Sequence, residues 1–164
     1  MIKNERTKPL SEEHSALEKA REHRYAWFHF LVDEAMKQGL DVEFARKAIR
    51  RCGVFHGETL FPKFPEGTDL HALAEAFITD DVKALYEVEN KVTDDVMDIH
   101  FHYCASTKLW QKLGVSEELL RKYCDISMEG DRGIFSVYPD LTMELPETIA
   151  WGDDACHLIV KRKK

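Results

Sequence analysis

The 164-residue sequence has no excess of positive charge, and this absence excludes two kinds of partner. Lysine and arginine number 23 against 30 aspartates and glutamates, which gives a formal net charge of -7 and a pI of about 5.6. Proteins that bind nucleic acid or an anionic membrane gain much of their affinity from a basic surface. We therefore expect neither a nucleic-acid partner nor a membrane partner.

Long hydrophobic runs are also missing. The longest apolar stretch, residues 26–32, is interrupted by His29. A bilayer span needs about 20 apolar residues, so no transmembrane helix is predicted. The first residues are charged and no apolar segment follows them, so we expect no export signal and a cytoplasmic location.

Cysteines are few, and none of the four belongs to a CxxC pair. In a reducing compartment this pattern argues against a disulfide framework and against a zinc ribbon. We expect the cysteines to be core residues or parts of a site. Internal repeats and low-complexity tracts are absent as well, and the length predicts one domain with a substantial core.

The order of hydrophobic patterns predicts an α+β fold. N-terminal helices would pack on an antiparallel sheet, with a helical pair inserted after the central strand. We expect this single domain to span residues 11–164 and residues 1–10 to be a flexible segment.

The predicted helices near the N-terminus have clear start and stop signals. Ser11 caps a first helix that extends to Gly39, and Asp41 caps a second that ends at Gly53. A proline-containing loop follows, and a third helix begins at Thr68.

Alternating patterns predict two strands, at residues 82–89 and 97–103, that form a hairpin. Residues 125–136 fit either a helix or a loop. The other predicted elements are helices at 109–113 and 116–124 and strands at 143–145, 148–151 and 156–160.

The most informative segment begins at Asp98 and ends at Cys104. On a strand, Asp98, His100, His102 and Cys104 share one face. Imidazole beside thiolate serves either a base-activated sulfur nucleophile or a metal such as zinc. The alternative is a solvated strand face without a site.

Cys104 is the best nucleophile candidate, because it stands between this strand and a helix whose N-terminal amides can lower the pKa of a thiol. Cys52 and Cys124 fall on apolar helical faces and are predicted to be buried hydrophobic residues. Cys156 alternates with Leu158 and Val160, which favours a sulfur in the core.

Several motifs together resemble the L-2-amino-thiazoline-4-carboxylic acid hydrolase family. They are Cys104-x5-Trp110-x3-Gly114, Ser116-Glu117-Glu118, Cys124, Asp131, Thr148-Ile149-Ala150-Trp151-Gly152-Asp153-x2-Cys156 and, more weakly, Arg51-Cys52-Gly53-x3-Gly57. A more distant similarity is to vinyl-reductase-type small-molecule-binding domains. The resemblance implies hydrolysis of a cyclic amidine, in which the thiazoline ring opens to a carbamoyl-cysteine. It carries over Cys104, Gly152, Asp153 and Cys156 as site residues.

A first mechanistic hypothesis combines this resemblance with the strand face and needs no cofactor. The Cys104 thiolate attacks C2 of the amidine, and His100 or His102 moves its proton. Asp153 or Asp131 binds the ring cation, and the substrate carboxylate needs a cation such as Arg132 or, near Gly53, Arg50 or Arg51. The alternative mechanism uses zinc or manganese held by His100, His102 and Cys104 to generate hydroxide.

Two further hypotheses concern function without turnover. In the first, the protein is a sensor domain in which Cys104 and Cys156 line a small-molecule pocket or hold a metal. In the second, the protein is an interaction module that forms a homodimer through its first helix, where Trp27, Phe28 and Phe30 surround one turn.

Overall fold

The computed structural model describes residues 2–164 and contains seven α-helices and four strands. In chain order the elements are α1 (Glu12–Lys37), α2 (Phe44–Thr59), α3 (Leu70–Phe77), α4 (Asp80–Tyr86), β1 (Val88–Val92), β2 (Val96–Phe101), α5 (Ala105–Lys112), α6 (Glu117–Ser127), α7 (Glu129–Phe135), β3 (Leu141–Glu147), a 3-10 turn (Ile149–Trp151) and β4 (Cys156–Arg162).

All neighbouring strands are antiparallel, and their order in the sheet is β1-β2-β4-β3. The predicted α+β class is therefore confirmed. Helices α5 and α6 follow the central strand β2, where the helical pair was predicted. Strand β3 lies at an edge, and Pro146 is tolerated there because an edge strand need not donate every backbone hydrogen bond.

The start of α1 is fixed by its cap, as the sequence predicts. The Ser11 hydroxyl accepts a hydrogen bond from the backbone N–H of His14, and two glutamates stand in the first turn. After the helix, Gly39 adopts a positive φ of 85°, which suits a residue without a side chain.

Helix α2 does not end at Gly53, and this prediction was wrong. The helix continues through Gly53 and Gly57 to Thr59, because these glycines face a neighbouring helix. A Cβ atom on Gly53 would lie 2.0 Å from the carbonyl oxygen of Gly130 in α7. The absence of side chains lets the two backbones touch, so Gly53 is a packing residue.

The predicted strand at residues 82–89 was also wrong, because most of it forms α4. The Thr79 hydroxyl caps this helix by accepting a hydrogen bond from the N–H of Val82, and Leu85 is the buried residue of the helix. The helix ends at Glu87, whose φ is 50°, and only then does β1 begin. The apolar residues at 82, 84, 86 and 88 alternate, but those at 82, 85 and 86 have helical spacing.

Residues 125–136, which fit either a helix or a loop by sequence, are mainly helical and include the end of α6 and all of α7. Residues 148–151, predicted as a strand, instead form a 3-10 turn at Ile149–Trp151 that is capped by Thr148. The Thr148 side chain accepts from the N–H of Trp151, and this local bond favours a turn over extended backbone.

Two hydrophobic clusters make up the core. The first joins α1, α5 and α6 around Trp110 and Tyr123. The second lies between α3, α7 and one face of the sheet, where Met97, Ile99 and Leu158 are fully buried. The opposite sheet face carries the polar residues of β2 and β4, as alternation requires.

The N-terminal segment packs against the domain, although it was expected to be flexible. Ile2 and Asn4 are buried, and the Asn4 side chain contacts the backbone of Cys104. Arg6 donates to the carbonyls of Ala84 and Leu85 at the end of α4. Across residues 2–164, no helix combines the length and the apolar character that crossing a bilayer requires.

Candidate functional site

A pocket with a volume of about 400 Å³ lies where α6 and α7 meet the end of β3 and the turn after it. This volume falls within the range of small-molecule sites. The pocket is lined by Cys124, Asp125, Arg132, Leu145, Pro146, Thr148, Trp151 and Asp153. It therefore brings Arg132 and Asp153, two of the predicted site residues, to one place.

The loop from Thr148 to Asp153 is held by its own hydrogen bonds. One oxygen of the Asp153 carboxylate accepts from the backbone N–H of Thr148 at 2.8 Å, and the N–H of Asp153 donates to the Thr148 carbonyl at 3.2 Å. Gly152 makes the turn with a φ of 106°. The loop thus presents Asp153 and Trp151 to the pocket in a fixed conformation.

The opposite wall of the pocket carries an ion-pair network. Arg132 lies 3.0 Å from one Asp125 oxygen, and Arg46 of α2 lies 2.8 Å from the other. Both arginines also contact Glu129. Burial opposes ionisation of Asp125, but the hydrogen bonds from Arg46 and Arg132 prevail and lower its pKa. Asp125 is therefore a stable anion that positions the Arg132 guanidinium.

Cys124 is the one cysteine among the residues that line this pocket. Burial raises the pKa of its thiol to about 12, and charge on Cys104 acts in the same direction. A side-chain hydrogen bond with Thr148 opposes this increase without cancelling it. Cys124 is thus a neutral thiol near pH 7 in the ligand-free protein.

Cys156 packs against the first core cluster, which supports the interpretation of a structural sulfur. Its Sγ accepts a hydrogen bond from the N–H of Ile149 at 3.4 Å. Burial also raises the pKa of this thiol. The side chain supports the 3-10 turn from beneath and is not one of the residues that line the pocket.

Cys104 stands at the start of α5, where the sequence places it. Its Sγ lies 3.2 Å from the Ser106 hydroxyl, and the side chain packs against the first core cluster. Charge on Cys104 raises the pKa of both Cys124 and Cys156. Three of the four cysteines therefore border the same core region, whereas Cys52, predicted to be buried, is exposed on α2.

His100 of β2 and His102, which follows the strand, do not form a metal-ligating group with Cys104. His100 and His102 stack with ring centroids 6.3 Å apart, but His102 Nε2 faces Glu89 at 3.6 Å. Among residues 2–164, the one group of three metal-ligating side chains with mutually close donor atoms is Asp98, His100 and His157. The trio of His100, His102 and Cys104 expected for the metal mechanism is not such a group.

Asp131 is not a pocket-lining residue either, although it adjoins Arg132. Burial raises its pKa to about 6, and the charges of Arg132 and Arg24 only partly offset this effect.

Sequence analysis missed Cys124, Asp125, Thr148 and Trp151 as pocket residues. Cys124, Thr148 and Trp151 occur in the motifs of the family resemblance, but no local pattern shows that α6 faces the loop. Asp125 lies near the end of α6 and Arg132 lies in α7, so their pairing depends on how these two consecutive helices meet.

A protein-family model described as L-2-amino-thiazoline-4-carboxylic acid hydrolase matches residues 19–160. The chain belongs to this family. The match includes α2, the whole sheet except the last residues of β4, and every residue that lines the pocket. It begins within α1 and leaves out the N-terminal segment. No curated protein matches the chain.

A solved structure shares the fold of this L-2-amino-thiazoline-4-carboxylic acid hydrolase family member. It is trafficking protein particle complex subunit 3 from Naegleria fowleri, covalently bound to palmitic acid. The TM-score is 0.56 at 17% identity, over 87% of this chain and 95% of the other. At this identity the similarity concerns the fold alone.

The homodimer expected through the first helix stays a prediction. Phe28, one of the three aromatic residues behind it, packs against Trp110 and Tyr123 inside the domain. Trp27 and Phe30 are exposed on α1.

Proposed function

We propose that this protein is a hydrolase that opens a cyclic amidine, such as L-2-amino-thiazoline-4-carboxylate, in the pocket beside the Thr148–Asp153 loop. The observation that carries the proposal is the placement of Arg132 and Asp153 in one pocket. Family membership supports a hydrolase of this kind. The substrate and the residue roles below are our proposal.

The charges of the pocket complement such a substrate at both ends. A protonated amidine is a planar cation, and one Asp153 oxygen is left for it while the other holds the Thr148 N–H. The Arg132 guanidinium would bind the substrate carboxylate, with Asp125 keeping it in place. Trp151 offers an aromatic face to the ring.

The pocket favours Cys124 as the nucleophile in place of Cys104, because Cys124 lines it and Cys104 does not. A bound cation beside Cys124 would stabilise its thiolate and so lower the pKa that burial has raised. The thiolate would add to C2 of the amidine, and the ring C2–S bond would break as the ring sulfur takes up a proton and leaves as a thiol. Water would then add to C2 and displace the Cys124 sulfur, which gives the carbamoyl product and restores the enzyme. Overall, the ring opens with the addition of one water.

One experiment tests both Cys124 and the sequence-based hypothesis in which Cys104 is the nucleophile and His100 or His102 moves its proton. Loss of L-2-amino-thiazoline-4-carboxylate, and of a small panel of cyclic amidines, is followed for the wild type and for Cys124→Ser and Cys104→Ser. Cys52→Ser is the matched control, since Cys52 is exposed on α2 and does not line the pocket. We expect turnover to be lost in Cys124→Ser and kept in Cys52→Ser.

Two results would contradict this assignment. Full activity of Cys124→Ser excludes Cys124 as the nucleophile, and loss of activity in Cys104→Ser alone returns that role to Cys104. Asp153→Asn provides the test of the pocket, because the amide keeps an oxygen for the Thr148 N–H but loses the charge. It should raise the KM for a cationic substrate.

A second candidate is a small-molecule-binding domain without turnover. The raised pKa of Cys124 favours it, since a neutral thiol is a poor nucleophile. Calorimetry with the same amidines separates the two functions: binding that depends on Asp153, without turnover of any panel member, supports the binding domain. If the protein neither binds nor turns over any of these amidines, the pocket is excluded as an amidine site.

A further inference from the structure

Three metal-ligating side chains meet on the exposed face of the two central strands. Asp98 and His100 are two residues apart on β2, and His157 on β4 is the cross-strand partner of His100. One donor atom from each lies within 4.8 Å of the other two. Residues two apart on a strand share a face, and opposed residues on adjacent strands are close neighbours, so the backbone register creates this convergence.

We propose that Asp98, His100 and His157 bind a divalent transition-metal ion, with Zn²⁺ as the preferred ion. Two imidazoles and one carboxylate form a donor set that suits Zn²⁺ and neighbouring transition metals, whereas Mg²⁺ and Ca²⁺ prefer oxygen ligands. Three protein ligands leave a coordination position for water, as in zinc sites with an open position.

The distances show that the donors already face one another. His157 Nε2 lies 3.1 Å and His100 Nδ1 lies 3.4 Å from the same oxygen of Asp98. The two imidazole rings are stacked, with centroids 4.1 Å apart and planes inclined by 17°. His157 Nε2 and the Asp98 oxygen are within hydrogen-bond distance, and a metal ion would replace this contact with small rotations of the side chains.

The site is open to an incoming ion and rests on a rigid base. The exposed fraction of the side chain is 41% for Asp98, 37% for His100 and 18% for His157. Strands β2 and β4 are both paired on two sides, so the backbone that carries the ligands is fixed. The site differs from the trio of His100, His102 and Cys104 suggested by the sequence.

This inference does not depend on the proposed function, because none of the three residues lines the pocket. Its test is Zn²⁺ titration by isothermal calorimetry of full-length protein that has been treated with a chelator and then dialysed. The absorption spectrum with Co²⁺ in place of Zn²⁺ reports the coordination geometry. We expect one ion per chain.

The variants His157→Asn and Asp98→Asn should weaken Zn²⁺ binding at least about tenfold. The matched control is His102→Asn, which removes the neighbouring histidine just after the end of β2 but leaves the three ligands intact. Its affinity should stay within about twofold of the wild type.

A second measurement uses the wild type alone, so it does not depend on whether the variants fold. Bound Zn²⁺ should protect His100 and His157, but not His102, from diethyl pyrocarbonate, as mass spectrometry of the modified peptides would show. The proposal is overturned if the wild type does not saturate with Zn²⁺. It is equally overturned if His102→Asn weakens binding as much as His157→Asn, or if protection is the same at all three histidines.

Discussion

Asn4 and Cys104 are joined by two hydrogen bonds although 100 positions separate them in the sequence. The Asn4 amide donates to the Cys104 carbonyl at 2.7 Å, and its oxygen accepts from the Cys104 N–H at 2.9 Å. A single side chain thus bonds to both backbone groups of the residue that immediately precedes α5. This pairing attaches the N-terminal segment to the domain and fixes the backbone that carries the Cys104 thiol.

The replacement Asn4→Ala should lower the free energy of unfolding by about 1–3 kcal/mol. It leaves the N–H of Cys104 without its partner in a part-buried environment, whereas the Cys104 carbonyl loses one of two bonds and still accepts from the N–H of Lys108. Urea denaturation measures the change. Asn90→Ala, at an exposed position of β1, is the control and should cost less. Equal effects of the two replacements would show that the Asn4 bonds do not stabilise the fold.

The glycine contact between α2 and α7 predicts opposite results for two glycines that face each other. Gly53→Ala should destabilise the protein by about 3 kcal/mol or more, because the new methyl group would overlap the carbonyl of Gly130. Gly130→Ala should be neutral or slightly stabilising, since its Cβ would meet only Ile49 Cγ2 at 3.8 Å and alanine favours helix. Thermal unfolding compares them, and similar losses would contradict the packing described.

The raised pKa of Asp131 predicts that the difference in stability between the wild type and Asp131→Asn depends on pH. Its pKa is about 6 in the folded protein, against about 3.9 in an unfolded chain. Between these values the folded state holds more protons, so this group's contribution to stability falls as pH rises from about 4 to 6.

Asparagine removes this penalty. At pH 7 Asp131→Asn should therefore be more stable than the wild type by up to about 3 kcal/mol, and the gain should vanish near pH 3.5. Urea denaturation at both pH values measures it. A gain that is the same at both pH values would mean that ionisation of Asp131 is not its cause.

Two replacements of Asp153 should distinguish the structural role of its hydrogen bond to Thr148 from the role of its charge in binding. Asp153→Ala removes the acceptor of the Thr148 N–H and should cost about 1–2 kcal/mol of stability, whereas Asp153→Asn should cost less. Both should weaken binding of a cationic amidine, as calorimetry would show. Undiminished affinity in Asp153→Asn would remove the carboxylate from the proposed site.

Iodoacetamide should label the cysteines in the order of their exposure and thiolate content. Cys52 is exposed and should react first at pH 7.5, and Cys104 is half-buried and should follow. Cys124 and Cys156 should react slowest, because burial restricts access and raises the pKa of both thiols. Peptide mass spectrometry at several times gives the order. Rapid labelling of Cys124 without ligand would contradict its neutral state.

The element predictions succeeded where a local signal acts alone. Ser11 and Ser116 cap helices that begin where the sequence places them, and the alternation around Ile99 does form a central strand. The predictions failed where a local signal has two meanings. Gly53 can end a helix or permit close packing, and only the position of α7 selects between these roles.

The candidate site shows the same division. Arg132 and Asp153 were predicted and do line the pocket. Cys124 was predicted to be buried and is a core residue, but its apolar helix face does not show that it also lines the pocket. His157 was not associated with His100, since the two are 57 positions apart and meet only through the register of β2 with β4.

The sequence by itself determined the fold class, the starts of α1 and α6 and the central strand, because hydrophobic period and capping act between residues close along the chain. The second helix is an exception, since it begins at Phe44 without a side-chain cap from Asp41. The tertiary structure alone decided which thiol enters the pocket and which histidines share a carboxylate. Those outcomes depend on how α6 docks beside the edge of the sheet and on which residues of β2 and β4 stand opposite each other. Neither docking nor register is encoded in a short window of sequence, since both are set by contacts between distant segments.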